Sequence, residues 1–588
     1  MTRHHPGPVS RAIAVVVVLA VVLAGLTLID TDRGTAGPQI PVSATGTDWP
    51  ATSAAPDEGG AAIVAVAPNP VADEDVGESI TLRVPTAPAR ANYSIADGES
   101  TAWLPAANVS GTVVVSTAPA AVRNRSPHPV LALRGRLSLA NGGERLTLRR
   151  NGSVVDTVTY PAVGEAEVYR NGSVVPAGMT DHPVWATGAT RATAFVLPDA
   201  AAVPARVLAG AEDRLYLAGY TLTSHRVATR LVAAARRGVD VRVLIEGGPA
   251  GGTSNRSPRV VDRLRAAGVA VRVVDGPRSR WRFHHAKYAV VDDRALVLTE
   301  NWQPAGTGGH ATRGWGVAVT DAAIADRLAT VFTGDHGWRG TRSWPRFEAA
   351  TTFQPPSPAS GSFAQRFPPE TTRVEGAAVL VAPDNAERRL LAMIRDAEES
   401  IRVLQPSIGN RTPLLAAVVN AARRGVRVKI LLGGTWFLED ENRYLRDRLR
   451  RIAAAENLPL AVRLLEPRSR FEYLHAKGLI VDGDQVVVGS INWNTVSTRE
   501  NREVALLLEG RAVARYYRRV FRADWRGAAW RVTVGVVGVT AAIVAVTVVV
   551  LARVVTFGGR PVAPRRSRRH PSSRRGRRER PPASRERT

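Results

Sequence analysis

Two stretches of the chain hold residue types able to do acid–base and nucleophilic chemistry. In FEYLHAKGLIVDGDQVVVGSINW (471–493), His475 and Lys477 stand two apart, Asp482 follows in an Asp-Gly turn signal, and Gly489-Ser490 and Asn492-Trp493 close the run. WRFHHAKYAVVDDRALVLTENW (281–302) repeats His285, Lys287, Asp292 and Asn301-Trp302 at nearly the same spacing. Residues two apart on a strand share a face, so each stretch predicts an imidazole beside an ammonium. Asp292 and Asp482 lie an odd number of residues beyond their histidines. They fall on the other face and are read as organisers of the turn, not as proton carriers.

The lysines are informative because the chain has 78 basic residues and just three are lysine: Lys287, Lys429 and Lys477. A chain that takes arginine almost everywhere keeps the compact ammonium at both motif sites, a choice with consequences for hydration and donor geometry. Two histidines, two lysines and the amides of Asn301 and Asn492 around one pocket make a cationic site suited to an anionic phosphate. Cleaving a phosphodiester needs a nucleophile at phosphorus, neutralised nonbridging oxygens and an acid for the departing alkoxide. One neutral histidine can attack while the other, protonated, donates. Neighbouring lysines disfavour a charged imidazole and a carboxylate favours it. The scheme requires no metal and no other cofactor.

The elements that must position these groups also come twice. AARRGVDVRVLIEGG (234–248) matches AARRGVRVKILLGGT (421–435), LPDA (197–200) matches APDN (382–385), and PRSR precedes both histidine motifs. Each unit reads as strands alternating with amphipathic helices, then a hairpin and a closing helix, an α/β layer structure. The expected repeats are 185–345 and 373–528, joined by a Pro/Ser/Phe-rich linker at 346–372. Two such units packed about a pseudo-twofold axis would bring His285 and His475 to one cleft. Before them, residues 61–180 alternate β-rich runs with Asn141-Gly142, Asn151-Gly152 and Asn171-Gly172 turn signals, an all-β sandwich pattern.

The ends point to a membrane. The segment 1–29 contains the apolar run 12–28 behind Arg3 and Arg11 and reads as a signal anchor, with 30–60 as a linker. The span at 531–552 includes 21 uncharged residues, 532–552, enough for a transmembrane helix. The tail 553–588 carries 13 arginines and two glutamates, +11 of the formal +26. Basic flanks at both chain ends predict two spans in the cell membrane with the tail cytoplasmic and the body extracytoplasmic. Absent cysteine excludes disulfides and thiolate metal sites.

HAKGLIVDGDQVVVGSINW resembles the HxK(x)4D(x)6GSxN signature of the phospholipase D superfamily, and the duplication is similar to that of its two-motif members. The resemblance implies duplicated α/β/α units, a phosphohistidine intermediate resolved by water or an alcohol, and no metal. It implies catalytic roles for His285, Lys287, Asp292, Asn301, His475, Lys477, Asp482, Ser490 and Asn492. It further makes Glu503 a histidine-orienting carboxylate, His285 the nucleophile and His475 the acid. The first copy departs from the pattern, with Leu298-Thr299 in place of Gly489-Ser490 and Gly316 roughly where Glu503 would stand, so its orienting carboxylate is missing. The β-rich segment, through IVAVAPNP, GESITL and LSLANGGERLTLRRNGSVVDTVTY, resembles the lamin-tail domain, an immunoglobulin-like sandwich.

These features lead to a membrane-anchored phosphodiesterase or phosphatidyltransferase acting on phospholipid. Two alternatives stand beside it: a nuclease of the same superfamily, favoured by the basic body, and a noncatalytic adhesion or scaffold protein. The duplication removes the need for a dimeric site, so oligomeric state is left open.

Overall fold

The computed structural model describes residues 60–85, 92–105, 110–123, 125–275, 280–356, 359–465 and 470–527. The expected anchor, the second apolar span, the Arg-rich tail and nearly all of the first linker lie outside these residues. Among the described residues no helix is long and apolar enough to cross a membrane.

Residues 62–176 fold into a six-stranded and a five-stranded sheet that share one core. The alternation in Ser79–Val84 (SITLRV) puts Ile80, Leu82 and Val84 inside, where they meet Ile95, Leu146 and Leu148. Asn151-Gly152 and Asn171-Gly172 each close a two-residue hairpin with positive φ at both positions. Asn141-Gly142 instead forms a loop turn leading into the strand Gly143–Arg150.

The two repeats have matching sheets. In the first, Arg214–Gly219, Asp240–Glu246 and Ala270–Val274 run parallel, and Tyr288–Val291, Arg294–Leu298 and Thr312–Thr320 add antiparallel strands. In the second, Ser400–Gln405, Arg427–Gly433 and Leu460–Leu465 are joined by Gly478–Val481, Gln485–Gly489 and Glu503–Glu509 in the same order. The parallel strands are linked by helices such as His225–Arg236 and Pro413–Arg423. Both of these begin at a hydroxyl cap, Ser224 accepting from the Val227 amide and Thr412 from the Leu415 amide.

The repeats also exchange strands. Trp185–Thr187 pairs with Gly376–Ala382 in the second sheet, and Glu370–Val374 pairs with Thr190–Leu197 in the first. The chain expected to be a linker therefore starts in the helix Trp344–Glu348 and ends in a strand of the first sheet. The closing helices Ala322–His336 and Arg511–Arg526 contribute to a single core with side chains from both sheets.

Two buried arginines tie the repeats together reciprocally. Arg313 of the first binds Asp199 of its own repeat at 2.5 Å and Asp524 of the other closing helix at 3.1 Å. Arg502 of the second binds Asp384 at 2.7 Å and Asp335 of the first closing helix at 2.9 Å. Removing one member of such a cluster strands a buried charge. The β-sandwich adjoins this base, because Thr180 donates to Asp384 and Arg499 pairs with Glu167 at 2.8 Å.

Candidate active site

Neither His-x-Lys motif lies within a strand, as its spacing suggested. Both are short extended crossings just before Tyr288–Val291 and Gly478–Val481. Before entering its own sheet each crossing hydrogen-bonds to the other repeat: the His285 amide donates to the Arg502 carbonyl and the His475 amide to the Arg313 carbonyl. The bond geometry that places each imidazole is thus supplied by the partner repeat, and a single strand pattern does not encode it.

The orienting carboxylates are crossed in the same way. His285 Nδ1 lies 2.8 and 2.9 Å from the two carboxylate oxygens of Glu503, in the second repeat. His475 Nδ1 lies 3.1 Å from Glu300 Oε2, in the first. A carboxylate can only accept, so each Nδ1 carries the proton and each Nε2 keeps its lone pair for chemistry. Glu503 also accepts from Ser497 Oγ and from Asn501 Nδ2 at 3.1 Å, and is fully buried.

The expectation that the first repeat lacks an orienting carboxylate is wrong, and the strand register shows why. Leu298 pairs with Gly316 and Gly489 with Ala505, so the counterpart of Glu503 is Gly314, not Gly316. A Cβ on Gly314 would collide with the Glu300 side chain, which fills that space from the neighbouring strand end. Glu300 itself stands where the second copy has Ile491. Sequence reasoning missed it although TENW against SINW displays the change. The Leu298-Thr299 departure is compensated too. Gly316 leaves room for Leu298, and Thr299 Oγ1 accepts the Trp315 amide as Ser490 Oγ accepts that of Val504.

Each lysine is folded back on its own motif, Lys287 Nζ donating to the His285 carbonyl and Lys477 Nζ to that of His475 at 2.6 Å. An ammonium has three donors, so two stay available to a phosphate. Asp292 and Asp482 accept from backbone amides, those of 212–214 and 398–400 respectively, and point away from the imidazoles. They hold the hairpins in place. Asn301 presents a buried Oδ1 without a hydrogen-bond partner, and Asn492 is half-buried beside the second motif. Tyr220, a further residue the motifs did not reveal, sets its ring edge-on to His285 at 4.6 Å and lies 5.0 Å from Lys287 Nζ. Its counterpart in the second repeat is Pro406.

Burial dominates the electrostatics. It pushes the His285 imidazole down to about 4, with the Glu503 charge opposing and Lys287 reinforcing. Burial and then Lys477 also lower His475, while Glu300 pulls the other way. Lys477 is brought down to about 8 by burial, and Lys287 falls well below its ordinary value for the same reason. Lys477 bears on His285 and Lys287 on His475, so the four groups form one electrostatic unit drawn from both repeats. The arrangement offers a neutral imidazole with a free lone pair, a second imidazole set to exchange a proton, and two ammonium groups for an anion.

The family model described as cardiolipin synthase, PLD-like domain matches residues 205–336 and 390–525. Cardiolipin synthase B of Salmonella typhimurium is 28% identical over 321 residues, 52% of this chain and 72% of that protein. The mitochondrial cardiolipin hydrolase of Xenopus tropicalis is 30% identical over 144 residues, 24% of this chain and 62% of its own length. Among solved structures, phosphatidylserine synthase of Haemophilus influenzae overlays with a TM-score of 0.42 and 14% identity, covering 58% of this chain and 86% of that one.

Proposed function

The duplicated body belongs to the phospholipase D superfamily, and on that premise we propose that the chain is a phospholipid phosphodiesterase or phosphatidyltransferase working through a phosphohistidine. The observation that supports this most is the reciprocal pair of His–Glu contacts, His285 with Glu503 and His475 with Glu300. In the first step His285 Nε2 attacks phosphorus, the bond to the leaving alkoxide breaks, and His475 gives that oxygen its proton. In the second, His475 takes a proton from water or an alcohol, whose oxygen attacks phosphorus and releases His285. Lys287, Lys477, Asn301 and Asn492 hold the nonbridging oxygens, where charge builds up in the transition state. Ser497 and Asn501 hold Glu503, Ser490 braces the Val504 backbone next to it, and Asp292 and Asp482 fix the hairpins that carry the motifs.

His285 is assigned as nucleophile because it is the more buried imidazole, is held neutral, and contacts both oxygens of its carboxylate. The phospholipid substrate is supported by the relatives named as cardiolipin synthase and cardiolipin hydrolase. One of those names denotes transfer and the other hydrolysis, so both acceptors belong to the proposal. Location at the cell membrane, with the body extracytoplasmic and the tail cytoplasmic, rests on the apolar runs and their basic flanks.

The test uses the full chain in neutral detergent with chelator present. Release of headgroup from phosphatidylglycerol or cardiolipin is followed beside cleavage of single-stranded DNA, with His285→Ala and His475→Ala as controls. Lipid turnover lost in both variants is expected. DNA cleavage without lipid turnover would replace this function with a nuclease.

A further inference from the structure

The three lysines divide unevenly: Lys287 and Lys477 are buried in the site, whereas Lys429 is exposed. It lies on the strand Arg427–Gly433 directly opposite Arg402 in the adjoining strand, with Arg427 two residues before it. Arg463 on the next strand stacks over Trp525 at 4.8 Å, and Lys429 Nζ lies 5.7 Å from the same ring. From the closing helix Arg511–Arg526, Arg518 and Arg522 bear on Arg402, and Arg522 also on Lys429. Among the described residues none of these cations has a salt-bridge carboxylate. Asp482 is the acid that bears on Arg402, and its oxygens are committed to three backbone amides. Burial, then the charges of Arg518, Arg522 and Arg427, press Arg402 down to about 10.

The same frame in the first repeat is neutralised. Tyr216 stands for Arg402, Arg242 for Lys429 and Asp240 for Arg427, by the matching registers. Asp240 there binds both neighbours, Arg242 at 2.8 Å and the Tyr216 hydroxyl at 3.0 Å. Counting back from Asp335 and Asp524, which take equivalent arginines, aligns Ala329 with Arg518 and Thr333 with Arg522. The fold does not need cations here, and stacking like charges opposes folding. Their concentration on one repeat calls for an anionic partner outside the chain.

We propose that this face of the second repeat binds the anionic phosphate headgroups of a phospholipid bilayer. The helix that carries Arg518 and Arg522 ends at Arg526, and the uncharged run 532–552 begins after five intervening residues. Five residues reach at most about 17 Å, so wherever that run enters a bilayer the cationic face is tethered within reach of the surface. Clustered arginine and lysine beside a membrane span gain attraction from each anionic headgroup, and salt screens it. The inference rests on the apolar run entering lipid, not on the catalytic chemistry.

Amine chemistry reads the face directly, because Lys429 is the exposed lysine and the two buried ones serve as internal references. The full chain is placed in nanodiscs of phosphatidylcholine alone or mixed with phosphatidylglycerol, acylated, and mapped by peptide mass spectrometry. Acylation of Lys429 is expected to slow by about threefold or more in the anionic discs. The protection should vanish in Arg518→Glu/Arg522→Glu and weaken at raised salt. Equal rates in the two discs would overturn the proposal, as would stronger protection by a DNA duplex than by phosphatidylglycerol, which would make nucleic acid the partner. Unchanged protection in His285→Ala keeps docking and turnover separately readable.

Discussion

The two repeats solve one problem with different residues. In the second, the carboxylate for the site sits on a strand as Glu503 and Ile491 fills the neighbouring loop position. In the first, the strand position is Gly314 and the carboxylate arrives from the loop as Glu300. A second exchange follows the same rule, Leu298 facing Gly316 where Gly489 faces Ala505. Each repeat conserves the contents of a small volume, not the residue at a position. Because the carboxylates serve the opposite repeat's histidine, the volume is shared and neither repeat holds a complete site.

The largest way to break this symmetry is through the buried arginines. Arg502→Leu takes the arginine from Asp384 and leaves Asp335 with His284 alone, at 3.4 Å, and Arg313→Leu takes the arginine from Asp199 and leaves Asp524 with Arg470 alone, at 2.9 Å. Each should lower stability by about 3–5 kcal/mol, read from the denaturant midpoint of the full chain. A large effect at one arginine and none at the other would mean the repeats are not reciprocally braced.

Exchanging the carboxylates tests whether the strand and loop positions are equivalent. Glu300→Ile should cut kcat on phospholipid by about 100-fold, since His475 loses its orienting partner. Gly314→Glu alone should also fail, because its side chain meets Glu300. The double variant Glu300→Ile/Gly314→Glu copies the second repeat and should regain most of the lost rate. A double variant no better than either single one would show that the two routes are not equivalent.

A smaller effect is expected at the other exchanged pair. Gly316→Ala drives a methyl into Phe195 and Leu298 and should cost about 1–3 kcal/mol. Leu298→Ala/Gly316→Ala should cost less than the sum of its parts, measured by the same midpoints.

Protonation gives the mildest test. The His285 imidazole, depressed to about 4, must be neutral to attack, so kcat/KM should rise as pH climbs through that value. His475, also depressed below its ordinary 6.5, must be protonated to act as acid, so the rate should fall again before pH reaches 6.5. The predicted profile is a bell on the acid side. Glu300→Gln should move its alkaline limb lower, because the carboxylate favours the charged imidazole, and Glu503→Gln should leave that limb in place.

Much of this was legible in the residues. The repeat of His, Lys, Asp and Asn, with lysine kept in an arginine-rich chain, pointed to the candidate site, and alternating strand and helix patterns indicated the layered fold. Glu503 was placed near a histidine, though which histidine was beyond a linear pattern. Glu300 escaped because alignment compares like positions, whereas packing exchanges contents between neighbouring strands. The strand swap of Trp185–Thr187 and Glu370–Val374 was illegible for a similar reason: strand pairing is set by register across repeats, and nothing local in either segment names its partner.

On the proposed mechanism one site is assembled from both repeats and His285 is its nucleophile. Rapid alkaline quench of the full chain turning over phosphatidylglycerol, followed by peptide mapping, locates the phosphorylated residue. Label on His285, persisting in His475→Ala and reduced in Glu503→Gln, is the predicted result. Label on His475, or an amount on His285 indifferent to Glu503, would contradict it.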